Sequence, residues 1–206
     1  MSEHLVFCIG RQFGSGGHEI GEGVAKKLNI PCYDKEILKQ AAQESGIVED
    51  LFEKADEKPT SSFLYTLSVG SAGMAPSFTN YNDYLTNDKL FLFQMKTIKE
   101  MADREPCVII GRCADYILRG YKKRLSVFIH APLELRIQRI AKLHNIDEDA
   151  ARSMIKKTDK NRANFYNFYA DSDWGSASTY DLCLNAGKLG IPQSIELLCG
   201  AAEHMR

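Results

Sequence analysis

The sequence predicts a three-layer α/β fold, with a mostly parallel sheet carrying helices on both faces. Apolar runs short enough for buried strands alternate along the chain with segments of helical periodicity. Cys107-Val108-Ile109-Ile110 and Leu125 to Ile129 are continuously apolar, as central parallel strands are when both faces are covered. A glycine-rich turn, with Gly at 10, 14, 16 and 17, separates the first strand from the first helix.

Taken in order, Leu5 to Ile9 reads as a buried strand, and Ile20, Val24 and Leu28 mark the helix after the turn. Asn29 and Pro31 end that helix, and Ile30 to Tyr33 can form a second strand. Asp34 is placed to cap a helix bearing Ile37, Leu38, Ala41 and Ala42, which Ser45-Gly46 closes. A short helix fits Ile47 to Ala55, and the Ser-, Gly- and Asn-rich stretch from Pro59 to about Tyr84 reads as a long loop with a brief helix around Phe63 to Leu67. Asn87 to Arg104 is expected as a long helix, Cys113 to Leu118 as a short one, and Pro132 sits in the first turn of a helix carrying Leu133, Ile137, Ile140 and Leu143. A basic helix runs from Asp147 to Arg162 and is followed by Phe165-Tyr166-Asn167-Phe168-Tyr169. Asp181 to Leu184 and Ile191 to Ala202 supply a last strand and helix.

With 206 residues the chain suits one domain. Hydrophobic residues at 44% support an ordinary core, and a net charge of −1 argues against nucleic-acid binding driven by overall charge. No apolar stretch approaches a membrane span. Met1-Ser2-Glu3-His4 carries an acid and runs straight into a strand, unlike a signal peptide. The six cysteines form no CxxC pair and mostly sit in apolar segments, so free buried thiols and a cytoplasmic setting are expected.

The glycine turn carries the chemistry. Glycine lets main-chain N–H groups approach a ligand, and the helix that follows adds unpaired N–H groups and a positive dipole end. Together they suit a phosphate. The bland alternative is a glycine-rich βα connection. The standard loop G-x-x-x-x-G-K-[ST] is incomplete: with Gly16 as its second glycine, Gly17 replaces the lysine and His18 the hydroxyl. The fingerprint G-x-G-x-x-G also fails, because Glu19 stands where its third glycine belongs, although Asp34 could serve a ribose.

Arg11-Gln12-Phe13-Gly14-Ser15-Gly16-Gly17, taken with Val108-Ile109-Ile110-Gly111-Arg112 and Asp159-Lys160-Asn161-Arg162-Ala163, resembles the cytidylate kinase-like family of P-loop nucleoside monophosphate kinases. Gly17 and Glu19 replace that family's loop Lys and Thr, Cys113 replaces the Asp of its Gly-Arg-Asp sequence, and Lys160 replaces the first lid arginine. The resemblance implies a P-loop kinase domain over 1–206, with an acceptor-side helical insert at 34–104 and a lid at 145–170. It implies ATP, with Mg²⁺ carried on substrate phosphates and no protein metal set, and a nucleoside monophosphate such as CMP as acceptor. Gly14, Ser15, Gly16, Gly17, His18, Arg139 and Lys160 would hold ATP, Arg112 and Asp34 the acceptor, and Arg11, Arg112 and Arg162 would be catalytic, with Arg11 standing in for the lysine. Partners would be small nucleotides, with a homo-oligomer allowed. Two other classes stay open: a nucleotide-binding sensor without turnover, favoured by the absent Lys and hydroxyl, and a kinase for a non-nucleotide acceptor, favoured by Cys113. The basic run around Lys156-Lys157 also suits a solvated helix face. The aromatics at 165–169 and Trp174 suit packing better than base stacking, Asp34 could be a helix cap alone, and His4, His130, His144 and His204 form no ligand set.

Overall fold

The computed structural model describes residues 4–46 and 81–205. Its sheet has five parallel strands, β1 (Val6–Arg11), β2 (Cys32–Tyr33), β3 (Cys107–Ile110), β4 (Arg124–His130) and β5 (Leu182–Asn185), in the order β2-β3-β1-β4-β5. The described helices are α1 (Gly17–Leu28), α2 (Glu36–Ser45), α3 (Tyr81–Arg104), α4 (Ala114–Ile117), α5 (Leu133–His144), α6 (Glu148–Ala170), α7 (Ala186–Leu189) and α8 (Ile191–Glu203).

Successive strand residues point to opposite faces, so β1 feeds two cores at once. Val6 and Cys8 join Cys107, Ile109 and Phe128 beneath α3, α4 and α6, where Ile98, Met101, Ile117 and Phe165 are buried. Phe7 and Ile9 join Val108, Ile110, Val127 and Ile129 beneath α1 and α8, with Ile20, Val24, Leu198 and Ala202. Both faces are covered, which is why the central strands carry no polar alternation. Outside these layers, α2 packs on α3 through Leu38, Ala41 and Leu90, and α5 packs on α6 through Ile137, Ile140, Ala151 and Ile155.

The chain moves outward from β1 to β2 on one side, then crosses β1 between β3 and β4. The carboxyl ends of these strands therefore open onto one crevice at the point where the strand order reverses. Among the described residues, no helix is long and apolar enough to cross a membrane.

Several boundaries differ from the sequence-based expectation. Asp34 does not cap α2: the N-cap is Lys35, with no side-chain cap bond, because the Asp34 carboxylate is drawn to Arg112 instead. The loop expected to reach Tyr84 is interrupted by α3, which starts at Tyr81 rather than Asn87. Pro132 is the N-cap of α5 with an extended ψ of 141°, one residue before the helix. The aromatic stretch 165–169 continues the basic helix, since α6 runs unbroken to Ala170 with Phe165 and Tyr166 buried against the sheet. The expected helix over 47–55, the brief helix at 63–67 and the loop from 59 to 80 lie outside the described residues.

All six cysteines are free; Cys8, Cys107, Cys113 and Cys199 are buried, whereas Cys183 is exposed. Burial pushes the Cys8 thiol well up, and those of Cys107 and Cys32 up to about 12.

Candidate active site

The connection from β1 to α1 turns on glycine. Gly14 and Gly16 take φ of +78° and +87°, a left-handed geometry that costs an ordinary L residue about 1–2 kcal/mol. A Cβ on Gly14 would also stand 2.9 Å from Ile140 Cγ1 and 3.1 Å from the Arg136 carbonyl oxygen. Gly16 caps α1 without any side-chain hydrogen bond, leaving first-turn N–H groups for a ligand. The Ser15 hydroxyl is buried and has no hydrogen-bond partner among the described residues. Backbone and helix start both fit a phosphate chain.

Gly17 occupies the place of the missing lysine. A Cβ there would lie 2.5 Å from Arg11 Cβ and 3.1 Å from Arg11 Cγ. The stem of Arg11 therefore fills the volume that a side chain at 17 would need. His18, on the exposed first turn of α1, places Nε2 3.5 Å from Asp34 Oδ2 and Nδ1 3.4 Å from Glu22 Oε2. Arg139 of α5 lies against Gly16 and forms an ion pair with Glu19.

The turn after β3 is built differently. Gly111, Arg112 and Cys113 all have positive φ, at 76°, 57° and 55°, and the last two lack glycine's freedom. Such backbone persists where its surroundings over-determine it. Here Arg112, with its side chain 2% exposed, donates from Nε to the Asp34 carbonyl at 3.0 Å and from Nη2 to Asp34 Oδ1 at 3.1 Å. Asp34 thus stands between the Arg112 guanidinium and His18.

Asp147 caps helix α6, its carboxylate accepting from the Ala150 N–H at 2.7 Å. Asp159 and Arg162, three residues apart, share one face and reach the glycine loop together. The Phe13 N–H donates to Asp159 Oδ1 at 2.7 Å, Arg136 Nη1 lies 2.5 Å from Asp159 Oδ2, and Arg162 Nη1 donates to the Arg11 carbonyl at 3.2 Å. Arg136 is buried in this pairing and also donates to the Phe13 carbonyl at 3.3 Å. Arg152, Lys156, Lys157 and Lys160 are exposed, and none of them lines either cavity of the crevice.

An outer cleft runs along the loop and is lined by Arg11, Gly14, Gly16, His18, Asp34 and Arg139, among others. A much narrower inner pocket lies beneath Gly111, Arg112 and Cys113 and is walled by Phe165, Tyr166, Trp174 and Tyr180. Arg11 and Arg162 line both, and so form the boundary between them. Ser15 and Lys160, expected at the nucleotide, line neither cavity; Ser15 is buried behind the loop.

Sequence reasoning missed Asp115, which also lines the inner pocket. Burial pushes its carboxyl up from the ordinary range, and it accepts from the Tyr166 hydroxyl at 2.5 Å. The Tyr180 hydroxyl is buried in the same pocket. Asp159 was quoted only as part of a motif, without a role. An acid at helical spacing from Arg162 was the available signal for it.

The parallel sheet, its strand order and the glycine loop beneath a basic helix define the α/β fold of the P-loop kinases. Solved structures agree on that fold. A shikimate kinase from Bacteroides thetaiotaomicron superposes with a TM-score of 0.55 at 16% identity, covering 97% of this chain and 98% of that one. An uncharacterized protein from Eubacterium ventriosum superposes more fully, with a TM-score of 0.71 at 28% identity over 97% and 99% of the two chains. In sequence, the cytidylate kinase of Methanopyrus kandleri is 26% identical over 97% of this chain and 93% of its own length. That of Methanocaldococcus jannaschii is 30% identical, but the match spans 52% of this chain and 61% of the relative. The cytidylate kinase-like family matches residues 6–188, and the chain belongs to that family.

Proposed function

We propose that the protein transfers a phosphoryl group from ATP to a small acceptor, a nucleoside monophosphate such as CMP. The observation that carries this reading is the position of Arg11 and Arg162 on the wall shared by the outer cleft and the inner pocket. A transferring phosphoryl group must pass between donor and acceptor, and its equatorial charge needs cations at that boundary. ATP phosphates would lie along Gly14, Ser15, Gly16, Gly17 and His18, with Arg139 beside them, and Arg11 would replace the loop lysine. Guanidinium suits the task, since its forked donors match phosphate oxygens. The acceptor would lie against Arg112, with Asp34 orienting that guanidinium.

Magnesium, where bound, would offset the charge of the transferring group. Glu19 and Asp34, the carboxylates beside the loop, are each paired with an arginine. The donor set therefore suits an ion held mainly by substrate phosphates.

A phosphoryl-transfer screen with Mg·ATP against the nucleoside monophosphates and several small alcohols tests the proposal, with Arg11→Ala alongside. Turnover on CMP, reduced about 100-fold or more in Arg11→Ala, is the expected result. Turnover on no acceptor would sink it. A second reading, a nucleotide sensor, draws on Glu19: its carboxylate stands in the first turn of α1. Tight ATP binding without turnover would select that reading.

A further inference from the structure

The glycine loop has no lysine of its own, and its glycines give it little stiffness. Its shape is nevertheless pinned from outside. Phe13 packs its ring against the apolar cluster between α5 and α6, with Arg162 5.7 Å from the ring centre. Both polar groups of the Phe13 backbone are engaged by one ion pair: the N–H by Asp159 and the carbonyl by Arg136. Asp159 gives one oxygen to Phe13 and the other to Arg136, so its two lone-pair directions serve loop and cation separately. The pair is largely removed from water, with side-chain exposures of 9% for Arg136 and 17% for Asp159. A charge-assisted bond in such a site is about twice as strong as a neutral one.

We infer that Asp159 is a positioning residue: it fixes the glycine loop in its phosphate-accepting shape by holding the Phe13 amide and Arg136 together, and it makes α6 the rigid backing of that loop. The inference rests on the assignment of the loop to a nucleotide phosphate chain. Asp159 touches the loop from behind and lines neither cavity, so it acts through the backbone and not on the reacting atoms. Arg162, one turn further along α6, is set at the boundary of the two cavities by the same register. Loop shape and the position of that guanidinium therefore move together.

The test compares the full chain with Asp159→Ala and with the isosteric Asp159→Asn, which keeps an acceptor for the Phe13 N–H and loses the charge. In Asp159→Ala, hydrogen exchange at the Phe13 amide should quicken about 10- to 100-fold. The dissociation constant and KM for Mg·ATP should rise about tenfold while the acceptor KM holds, and Asp159→Asn should fall between. Unchanged exchange at Phe13, or an ATP affinity equal to that of the parent chain, overturns the inference. Should the parent chain neither bind ATP nor transfer phosphoryl groups, the proposed function fails alone, and inorganic pyrophosphate becomes the probe. Pyrophosphate binding that weakens about tenfold in Asp159→Ala supports the inference; equal binding, or none by the parent chain, overturns it.

Discussion

The two turns that meet in the crevice solve the same steric problem in opposite ways. After β1, the left-handed positions fall on Gly14 and Gly16; after β3, they fall on Gly111 and then on Arg112 and Cys113. Glycine makes the first turn easy to bend and leaves its shape to outside contacts, from Asp159 and Arg136. The second turn holds side chains in a strained backbone and anchors itself, because Arg112 is buried against Asp34. A turn that must wrap a ligand with its backbone gives up side chains. A turn that must present one keeps it and bears the strain.

The largest effect is expected at the self-anchored turn. Arg112→Ala leaves two αL residues without their anchor and Asp34 without its cation, and should lower unfolding stability by about 3 kcal/mol in urea titrations. A loss below about 0.5 kcal/mol would mean that the anchor contributes nothing. At the glycine turn, installing the standard lysine should fail. Gly17→Lys drives a Cβ into Arg11 and should destabilise the chain by about 1–3 kcal/mol and weaken ATP binding. Arg11→Gly/Gly17→Lys should recover both, and a Gly17→Lys single variant that binds ATP more tightly would refute the exchange of Arg11 for lysine.

Asp115 sets a pH dependence between these two extremes. Burial raises its carboxyl, so the folded chain holds that proton more tightly than the unfolded one. Its stabilising contribution is complete below about pH 4 and is lost as pH rises through the higher folded value. Asp115→Asn should remove that decline, read as urea midpoints that fall less between about pH 4 and pH 7 than those of the parent chain. The smallest effect belongs to an αL residue away from the crevice. Asn29 ends α1 at φ 54°, and Asn29→Gly should stabilise the chain by at most about 0.5 kcal/mol, read by thermal melting.

The sheet was legible because its strands are buried on both faces: Cys107 to Ile110 and Leu125 to Ile129 permit little else. The glycine loop was legible from Gly14, Gly16 and Gly17, since only a ligand-approaching or tightly packed turn needs so many. What stayed hidden depends on pairs far apart in the chain. Asp34 was read as a cap because local rules favour Asp before a helix, yet Arg112, 78 residues further on, holds its carboxylate. Asp159 and Phe13 are separated by 146 residues, and no local pattern joins them. Asp115 went unnoticed because Cys113 to Leu118 read only as a short helix; its placement in the pocket follows from the left-handed turn before it.

The thiols of the central sheet give the molecule a built-in clock. Cys8 and Cys107 lie on β1 and β3 with 1% and 0% exposure, while Cys183 on β5 is open to solvent. An alkylating reagent should therefore modify Cys183 first, whereas Cys8 and Cys107 wait for the helical layer of α3, α4 and α6 to lift from the sheet. The interval between modification of Cys183 and that of Cys8 and Cys107 reads the lifetime of that closed layer in the intact chain. Its lengthening on addition of Mg·ATP would report how firmly a nucleotide at the crevice holds the layer on the sheet.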